Sequence, residues 1–301
     1  MKDIPVPTLG FSPTTFLPLS FADFFTKIMP RKALEQAQPT APRIAEVPHS
    51  APQTARESTP PKLQVFWAQH LDEVREAQRL RYAIFAGEMG AKLSNNLAGH
   101  DIDRFDDFCE HLLVRDVATG QVVGTYRLLT PVQAQRAGGL YTETEFNIDA
   151  LHSLKPSMVE LGRSCVHADY RSGAVIMALW GALAQFMHRN QLSTMVGCAS
   201  IPMLHQGRIS GDAAASIWHQ VSQTYLADPT WHVYAHTPLP VTQFDLALNV
   251  EPPALIKGYL RLGARILGAP AWDADFNTAD LPMLLRVDDM PTRYKKHFLT
   301  T

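Results

Sequence analysis

The stretch with the clearest capacity for chemistry is VELGRSCVHADYRSGAVIMALWGALAQF, residues 159–186, which predicts an apolar strand, a turn and an apolar helix. Along a strand, Glu160 and Gly162 share one face while Arg163 lies on the other, unless a bulge near Gly162 re-aims the chain. Such a bulge would also free backbone N–H groups to meet a developing oxyanion. The alternative is an ordinary ion pair at a strand end.

The turn before the helix has the character of an anion site. It contains Arg171, Ser172, Gly173 and Ala174, and the helix is expected to begin at or just after Gly173. The first N–H groups of a helix are unpaired and its dipole is positive there, so phosphate or pyrophosphate would fit. Taken alone the pattern is weak, because glycine also simply permits a tight turn.

A second constellation is the acidic run GHDIDRFDDFCEH, residues 99–111. It is not an EF-hand, because counting from Asp101 puts Phe105 at position five and Leu112 at position twelve. A metal site formed by His100, Asp103, Asp107 and His111 stays open, although the spacing matches no standard ligand pattern. A carboxylate cluster for a cationic substrate is the other functional interpretation, while the run by itself favours a solvated acidic loop.

Composition limits the class of protein. The chain has 301 residues, 46% of them hydrophobic and 19% charged, which is enough to bury a substantial core. A formal net charge of -2 gives no general attraction to nucleic acid. Three cysteines without a CxxC pair fit neither a disulfide framework nor a thiolate zinc site, and predict a cytoplasmic protein. No run approaches the roughly 20 apolar residues of a membrane span.

The first 62 residues differ from the rest of the chain. Half of the 22 prolines fall within residues 1–61, so we predict a mostly disordered leader over 1–62. Within it, residues 20–29 form a short amphipathic helix. That helix could dock on the folded domain or contact a membrane surface, and the sequence leaves both open. The folded domain is expected over 63–299.

Alternating apolar patterns in the folded domain predict an α/β fold with a mixed, largely antiparallel central sheet flanked by helices. Strands are expected at 63–69, 110–116, 121–129, 159–166, 193–200 and 232–240. Helices are expected at 71–89, 174–190, 211–225 and 252–268.

Taken in order, RYAIF, DIDRFD, GTYRLL and ELGRSCVHADYRSGAVIMALW resemble the acyl-homoserine-lactone synthase and ornithine acyltransferase branch of the GNAT superfamily. The closer resemblance is to the ornithine N-acyltransferase family. It rests on GRSCVHADYRSGA, GCAS and the late stretch PPALIKGYLRLGARILGAPAWDADFNTADLPMLL, and spans roughly residues 64–299. This resemblance implies a GNAT-like fold with a helical C-terminal extension.

Site residues follow from the resemblance, position by position. It implies catalytic Glu160 and Arg163, and a phosphopantetheine site at Arg171, Ser172, Gly173 and Ala174. The substrate-binding positions that it implies are Arg81, Phe85, Asp103, Asp106 and Arg127. Asp103 and Asp106 would hold cationic groups of the substrate, and Arg127 or Arg163 would pair with its carboxylate.

The implied reaction is transfer of a 3-hydroxyacyl group from acyl carrier protein to the α-amino group of L-ornithine, the first step of ornithine lipid biosynthesis. The loop after Arg171 lacks the fuller Q/R-x-x-G-x-G/A pattern of coenzyme A binders, which suits a carrier-protein phosphopantetheine with its single phosphate. An amine attacks only when neutral, so Glu160 is the candidate general base, and its exchange for Gln should lower turnover with the fold intact. No resident cofactor, metal or covalent intermediate is required, and Cys165 is expected to be a core residue.

Two basic stripes could dock an acidic carrier protein, or could simply be solvated. Lys257, Arg261 and Arg265 recur at four-residue spacing in one predicted helix, and Arg75 and Arg79 do so in another. An amphiphilic product would favour peripheral contact with the inner face of the cytoplasmic membrane. The alternative functions are a lactone synthase using S-adenosylmethionine and a non-enzymatic, haemolysin-like membrane-active protein.

Overall fold

The computed structural model describes residues 61–93 and 97–299, and describes the side chains up to residue 295. The predicted leader over 1–62, with its helix at 20–29, therefore lies outside the described residues, apart from residues 61 and 62.

The described residues form one large mixed sheet in the order β1-β2-β3-β5-β6-β12-β10, with β11 also paired to β12. Its neighbours are antiparallel except for β5 and β6, which run parallel. This confirms the predicted mixed, largely antiparallel sheet. The strands of this sheet are β1 Leu63–Trp67, β2 Glu110–Asp116, β3 Val122–Leu129, β5 Met158–Val166, β6 Thr194–Pro202, β10 Arg265–Ile266, β11 Ala271–Asp273 and β12 Thr278–Arg286. Two-residue strands pair outside it: β4 Phe146–Asn147 with β9 Tyr234–Ala235, and β7 Leu204–His205 with β8 Arg208–Ile209.

Helices cover both faces of the sheet. Helix α1 packs on the face that carries Leu113 of β2, whereas α4 packs against Val114 and Gly124 on the opposite face. The helices are α1 Leu71–Tyr82, α2 Pro131–Ala137, α3 Thr142–Glu145, α4 Ala174–Arg189, α5 Asp212–Tyr225, α6 Ala254–Leu262 and α7 Thr292–Leu299. A π-helical turn at Ala83–Glu88 extends α1.

The C-terminal part contains helices, as predicted, and also adds strands β10 to β12 to the sheet. The helix predicted over 252–268 ends at Leu262, because Gly263 takes a left-handed φ of 100° that caps it. Arg265 consequently lies in β10, so Lys257, Arg261 and Arg265 do not form one helical stripe, and that prediction was wrong. The strand predicted over 232–240 was also too long, since only Tyr234–Ala235 is extended and paired.

Strand β5 contains the bulge that the sequence allowed for. Thr125 of β3 faces Cys165, and Arg127 faces Gly162, so β5 carries one more residue than β3 between these pairs. Arg163 lies in that interval with a left-handed φ of 50°. On the other edge of β5, parallel pairing with β6 stops at Glu160 and Val196. Strands β5 and β6 therefore stop pairing just where Glu160 and Arg163 are located.

Strand register divides the polar from the apolar side chains. Residues that face each other across neighbouring strands share a side of the sheet. Glu160 faces Leu129 and Val196, Cys198 faces Pro282, and Ser200 faces Asp280. The α1 side of the sheet therefore carries Arg127, Glu160, Cys198 and Asp280, whereas the α4 side carries Tyr126, Leu161, Gly197 and Met283.

The close approach of β5 and β6 depends on Gly197. A Cβ atom there would lie 2.3 Å from the carbonyl oxygen of Leu161. Gly197→Ala is expected to lower the free energy of unfolding by about 1–3 kcal/mol, because backbone must shift to admit the methyl group. Urea unfolding of the full chain measures the change.

Gly181→Ala provides the matched control. Gly181 lies inside α4 with nothing within 4 Å of an added Cβ. Its exchange is expected to raise stability by about 0.5–1 kcal/mol, since alanine favours the helix. Equal effects of the two substitutions would contradict the tight strand contact.

Candidate active site

Arg81 anchors a buried network of charges on the α1 side of the sheet. Its side chain is 0% exposed and donates from Nε to Asp101 Oδ2 at 2.7 Å. It also donates from Nη1 and Nη2 to the two carboxylate oxygens of Asp106, at 3.0 and 2.7 Å. This two-pronged contact is the strong form of the arginine–carboxylate interaction. The network thereby ties α1 to the acidic loop.

Arg127 and Arg163 complete the network from β3 and β5. Arg127 Nη1 donates to Asp103 at 2.6 Å and to Asp106 at 2.9 Å, and Arg163 Nη2 donates to Asp103 at 3.0 Å. Three guanidinium groups thus meet three carboxylates, and the formal charges cancel. The structure brings together five of the predicted site residues: Arg81, Asp103, Asp106, Arg127 and Arg163.

Paired charge controls the acidity of this network. Burial alone would raise the pKa of Asp106, but Arg81 and Arg127 hold it well below its ordinary value. Burial would also raise the pKa of Asp103, but the positive charges of Arg127 and Arg163 outweigh it, so the pKa of Asp103 is lowered. Both carboxylates are therefore ionised and occupied by protein arginines. Asp101, which the sequence reasoning did not assign, completes the balance.

Arg163 is the most accessible arginine of the network, at 11% exposed against 0% for Arg81 and 4% for Arg127. Its guanidinium lies 4.9 Å from the ring centre of Tyr141 and 4.6 Å from that of Phe276. Its Nε is buried and lies 3.3 Å from Asp101 Oδ2, an ion pair without hydrogen-bond geometry. Arg163 is thus held between two rings and beside two carboxylates, those of Asp101 and Asp103.

Glu160 is buried and holds the start of α3. Its Oε2 accepts from the N–H of Tyr141 at 2.7 Å, and its Oε1 accepts from the N–H of Thr142 at 2.6 Å and from the Thr142 hydroxyl. Burial raises the pKa of Glu160, and these three donors oppose the rise. The carboxylate is an anchor for α3 and retains lone-pair capacity on Oε2.

A second acidic group lies on the same side of the sheet and was missed by sequence reasoning. Single carboxylate oxygens of Glu145, Asp273 and Asp280 lie within 4.8 Å of one another. Both carboxylate oxygens of Glu145 are buried and have no hydrogen bond of good geometry, with the Tyr141 hydroxyl and Cys198 thiol nearby. Burial, together with Asp280, raises the pKa of Glu145 to about 9. We call these three residues the acidic triad.

The remaining predicted residues lie around these groups. Phe85 is buried in the core beneath α1 and meets Phe276 edge to face, with ring centres 5.7 Å apart. Cys165 is buried, and burial raises the pKa of its thiol to about 12, as suits an inert core residue. The roles predicted for the individual site residues stay predictions.

Helix α4 begins directly after Gly173, whose left-handed φ of 103° permits the turn. Ser172 is exposed and Ala174 is half-buried. The side chain of Arg171 is 48% exposed. It donates to the Glu88 carboxylate at 2.6 Å and to the carbonyl oxygen of Val166 at 3.0 Å. Gly173 itself is buried, so the helix start is accessible only at Ser172, and the guanidinium of Arg171 is already paired.

An apolar cavity of about 80 Å³ lies on the α4 side of the sheet. Tyr126 and Tyr259 line it, and their hydroxyls are hydrogen-bonded to each other. Its flexible walls include Met187, Met195, Met283 and Met290. The polar groups and the apolar cavity thus lie on opposite sides of the sheet, at the point where β5 and β6 stop pairing.

Comparison with known proteins first defines the class. Residues 80–181 match the family model described as an acetyltransferase (GNAT) domain, which agrees with the mixed sheet. Among solved structures, the AHL synthase LasI superposes with a TM-score of 0.46 and 13% identity, over 79% of this chain and 94% of that chain.

The relatives then define the family. The chain is 34% identical to the L-ornithine N(alpha)-acyltransferase of Brucella abortus over 259 residues, which cover 78% of this chain and 88% of the relative. It is also 34% identical to that of Agrobacterium fabrum over 244 residues, 75% of this chain and 81% of the relative. The chain belongs to the L-ornithine N(alpha)-acyltransferase family. Within its described residues, no helix is both long and apolar enough to cross a bilayer.

Arg81→Met tests the buried network. Removal of the guanidinium takes from Asp101 and Asp106 their shared partner and leaves three buried carboxylates against two arginines, which should cost about 3–5 kcal/mol in the free energy of unfolding. Arg75→Met, on the exposed side of the same helix, should change it by less than about 0.5 kcal/mol. Denaturant titration compares the two, and a similarly small loss in both variants would refute the role assigned to the network.

Proposed function

We propose that this protein transfers a 3-hydroxyacyl group from the phosphopantetheine thioester of acyl carrier protein to the α-amino group of L-ornithine. The observation that carries the proposal is the 34% identity to the Brucella abortus L-ornithine N(alpha)-acyltransferase over 78% of this chain. The product would be an amide-linked acyl ornithine. Amine attack on a thioester needs no resident cofactor.

The two sides of the sheet support separate entry of the two substrates. The apolar cavity on the α4 side offers the acyl chain a lining of flexible methionines, which would move apart to widen it. The polar groups on the α1 side suit a charged amino acid, with Arg163 as the partner for its carboxylate. The thioester would lie between them, where β5 and β6 stop pairing.

The proton balance defines what the site must do. The amine nitrogen attacks the thioester carbonyl carbon and the C–S bond breaks. An ammonium group loses two protons on the way to the amide; the departing thiolate takes one and the other is released. Glu160 is the proposed acceptor of the first proton, through the free lone pair on Oε2 or through a water molecule.

Carrier-protein docking is proposed at the start of α4. The turn, with Ser172 exposed and Gly173 buried, would present unpaired N–H groups at the helix start to the single phosphate of phosphopantetheine. Arg171 would bind the phosphate only if its ion pair with Glu88 opened. Otherwise the backbone N–H groups alone would bind it. Cytoplasmic location with peripheral membrane contact through the leader is part of the same proposal.

Purified full-length protein, incubated with 3-hydroxyacyl carrier protein and L-ornithine, is expected to form one amide and one free thiol per turnover. Mass analysis of the lipid and thiol titration measure the two products. S-adenosylmethionine in place of ornithine should give no lactone. A lactone, or the absence of amide with an active carrier preparation, would refute the proposed function.

Glu160→Gln is expected to lower turnover and, unlike the expectation from sequence, also to lower stability by about 1–3 kcal/mol. The reason is that the amide group would place an N–H donor against the N–H groups of Tyr141 or Thr142. The discriminating measurement is the pH profile of kcat/KM. If Glu160 is the base, the acidic limb of the profile disappears in the variant.

Thr142→Val is the control for the anchoring role. It removes the hydroxyl that donates to Glu160 and keeps the carboxylate. Its acidic limb should therefore persist at a reduced rate. An acidic limb that also persists in Glu160→Gln would show that Glu160 only positions α3.

A further inference from the structure

We propose that the acidic triad of Glu145, Asp273 and Asp280 binds the δ-ammonium group of the ornithine side chain and so selects amino acids with a cationic side chain. This inference rests on the proposed function and names the part of the site that would recognise the acceptor. It assigns a role to three residues that neither sequence motifs nor the first charged network account for.

Charge balance separates the triad from that network. Asp101, Asp103 and Asp106 are neutralised by three arginines, but no ion pair in the described part of the chain includes a triad residue. The carboxylate oxygens of Glu145 are fully buried and make no hydrogen bond of good geometry, and their nearest donors are the neutral Tyr141 hydroxyl and Cys198 thiol. A buried carboxylate without a partner is costly, and a bound cation would remove that cost.

Two of the three carboxylates are held in place by their own strands. Asp280 Oδ1 accepts from the Thr278 hydroxyl at 2.9 Å on β12. Asp273 Oδ1 accepts from the N–H groups of Asp275 and Phe276, at 2.9 and 3.0 Å, just after β11. Asp273 keeps its second oxygen for another donor, and Ser200 on β6 is a further donor to Asp280. The site is therefore organised before any ligand arrives.

The spacing suits an ammonium group. Charge-assisted N–H···O contacts are about 2.8 Å long, and three acceptors around a tetrahedral nitrogen are then about 4.6 Å apart. The triad oxygens lie within 4.8 Å of one another. An ammonium group offers three donors, one for each carboxylate. Burial raises the pKa of Asp280 to about 6, and a bound cation would favour the ionised form of all three.

The triad is located where the far end of the acceptor would extend. Asp280 faces Ser200 on β6, beyond the last β5–β6 pair and on the same side of the sheet as Glu160. Tyr141 lies at the start of α3, which ends at Glu145, and its ring contacts Arg163. An amino acid whose carboxylate meets Arg163 can thus direct its side chain along Tyr141 to the triad.

The test compares ornithine with 2-aminopentanoate, which has the same carbon chain without the terminal amine. Wild type should prefer ornithine in kcat/KM by about 100-fold or more, because the analogue leaves buried carboxylates unpaired. Asp280→Asn and Glu145→Gln should reduce that preference by about 10-fold or more, chiefly through the KM for ornithine. Asp288→Asn, at an exposed position 80% accessible on its side chain, should leave the preference intact.

Several outcomes would overturn the assignment. Equal losses of kcat/KM for ornithine and 2-aminopentanoate in the triad variants would show that the triad contacts the α-amino group or has only a structural role. Stabilisation of wild type by Mg²⁺ or Ca²⁺ that is lost in Asp280→Asn, with activity abolished by EDTA, would make it a metal site.

A binding measurement separates this inference from the proposed function. Ornithine should raise the melting temperature of wild type and of Asp288→Asn, but raise that of Asp280→Asn much less, without any acyl donor. If wild type binds ornithine through the triad and yet forms no amide, only the proposed reaction fails. If it forms the amide while the triad variants bind ornithine as well as wild type does, only the inference fails.

Discussion

The neutral cluster of three arginines and three aspartates is the constraint on which the rest of the site depends. Burying six charges is unfavourable unless every charge is paired, and here each guanidinium meets at least one carboxylate oxygen. Such a cluster adds little stability over an apolar core. It does fix α1, the acidic loop, β3 and β5 relative to one another, because any shift would leave a charge unpaired.

That fixed geometry explains the backbone of β5. Arg163 adopts a left-handed conformation that a non-glycine residue seldom takes, and it occurs where β5 bulges away from β3. The contact of Arg163 with Asp103, and its position between two aromatic rings, offset this cost. The same bulge lies next to the point where β5 and β6 stop pairing. One local irregularity thus turns an arginine toward the polar side of the sheet beside the opening between strands.

Sequence patterns predicted most of the elements, and failed where a residue worked against its usual preference. Apolar periodicity located α1, the β2–β3 hairpin, β5, α4, β6 and α5. Strand β12 was not predicted, since Pro282 lies in its middle and proline is unusual in a central strand. The resemblance supplied five residues of the neutral network because their motifs are local. The acidic triad could not be found this way, since residues 145, 273 and 280 meet only through the sheet; its one local signal was an aspartate within the apolar run of β12.

The two acidic groups use the same chemistry and differ in their partners. In the acidic loop, the aspartates pair with arginines of the same chain. Their charge is therefore neutralised within the protein and stabilises its structure. In the triad, the carboxylates form no ion pair with any described residue, and Arg163 acts on Asp280 only from a distance. Glu160 connects the two regions, since it lies on the strand that carries Arg163 and accepts the N–H groups that begin α3. Helix α3 has only four residues and ends at Glu145, so the anchor set by Glu160 also determines where Glu145 points. A carboxylate that holds this short helix therefore shapes the acceptor end of the site, whichever group accepts the proton.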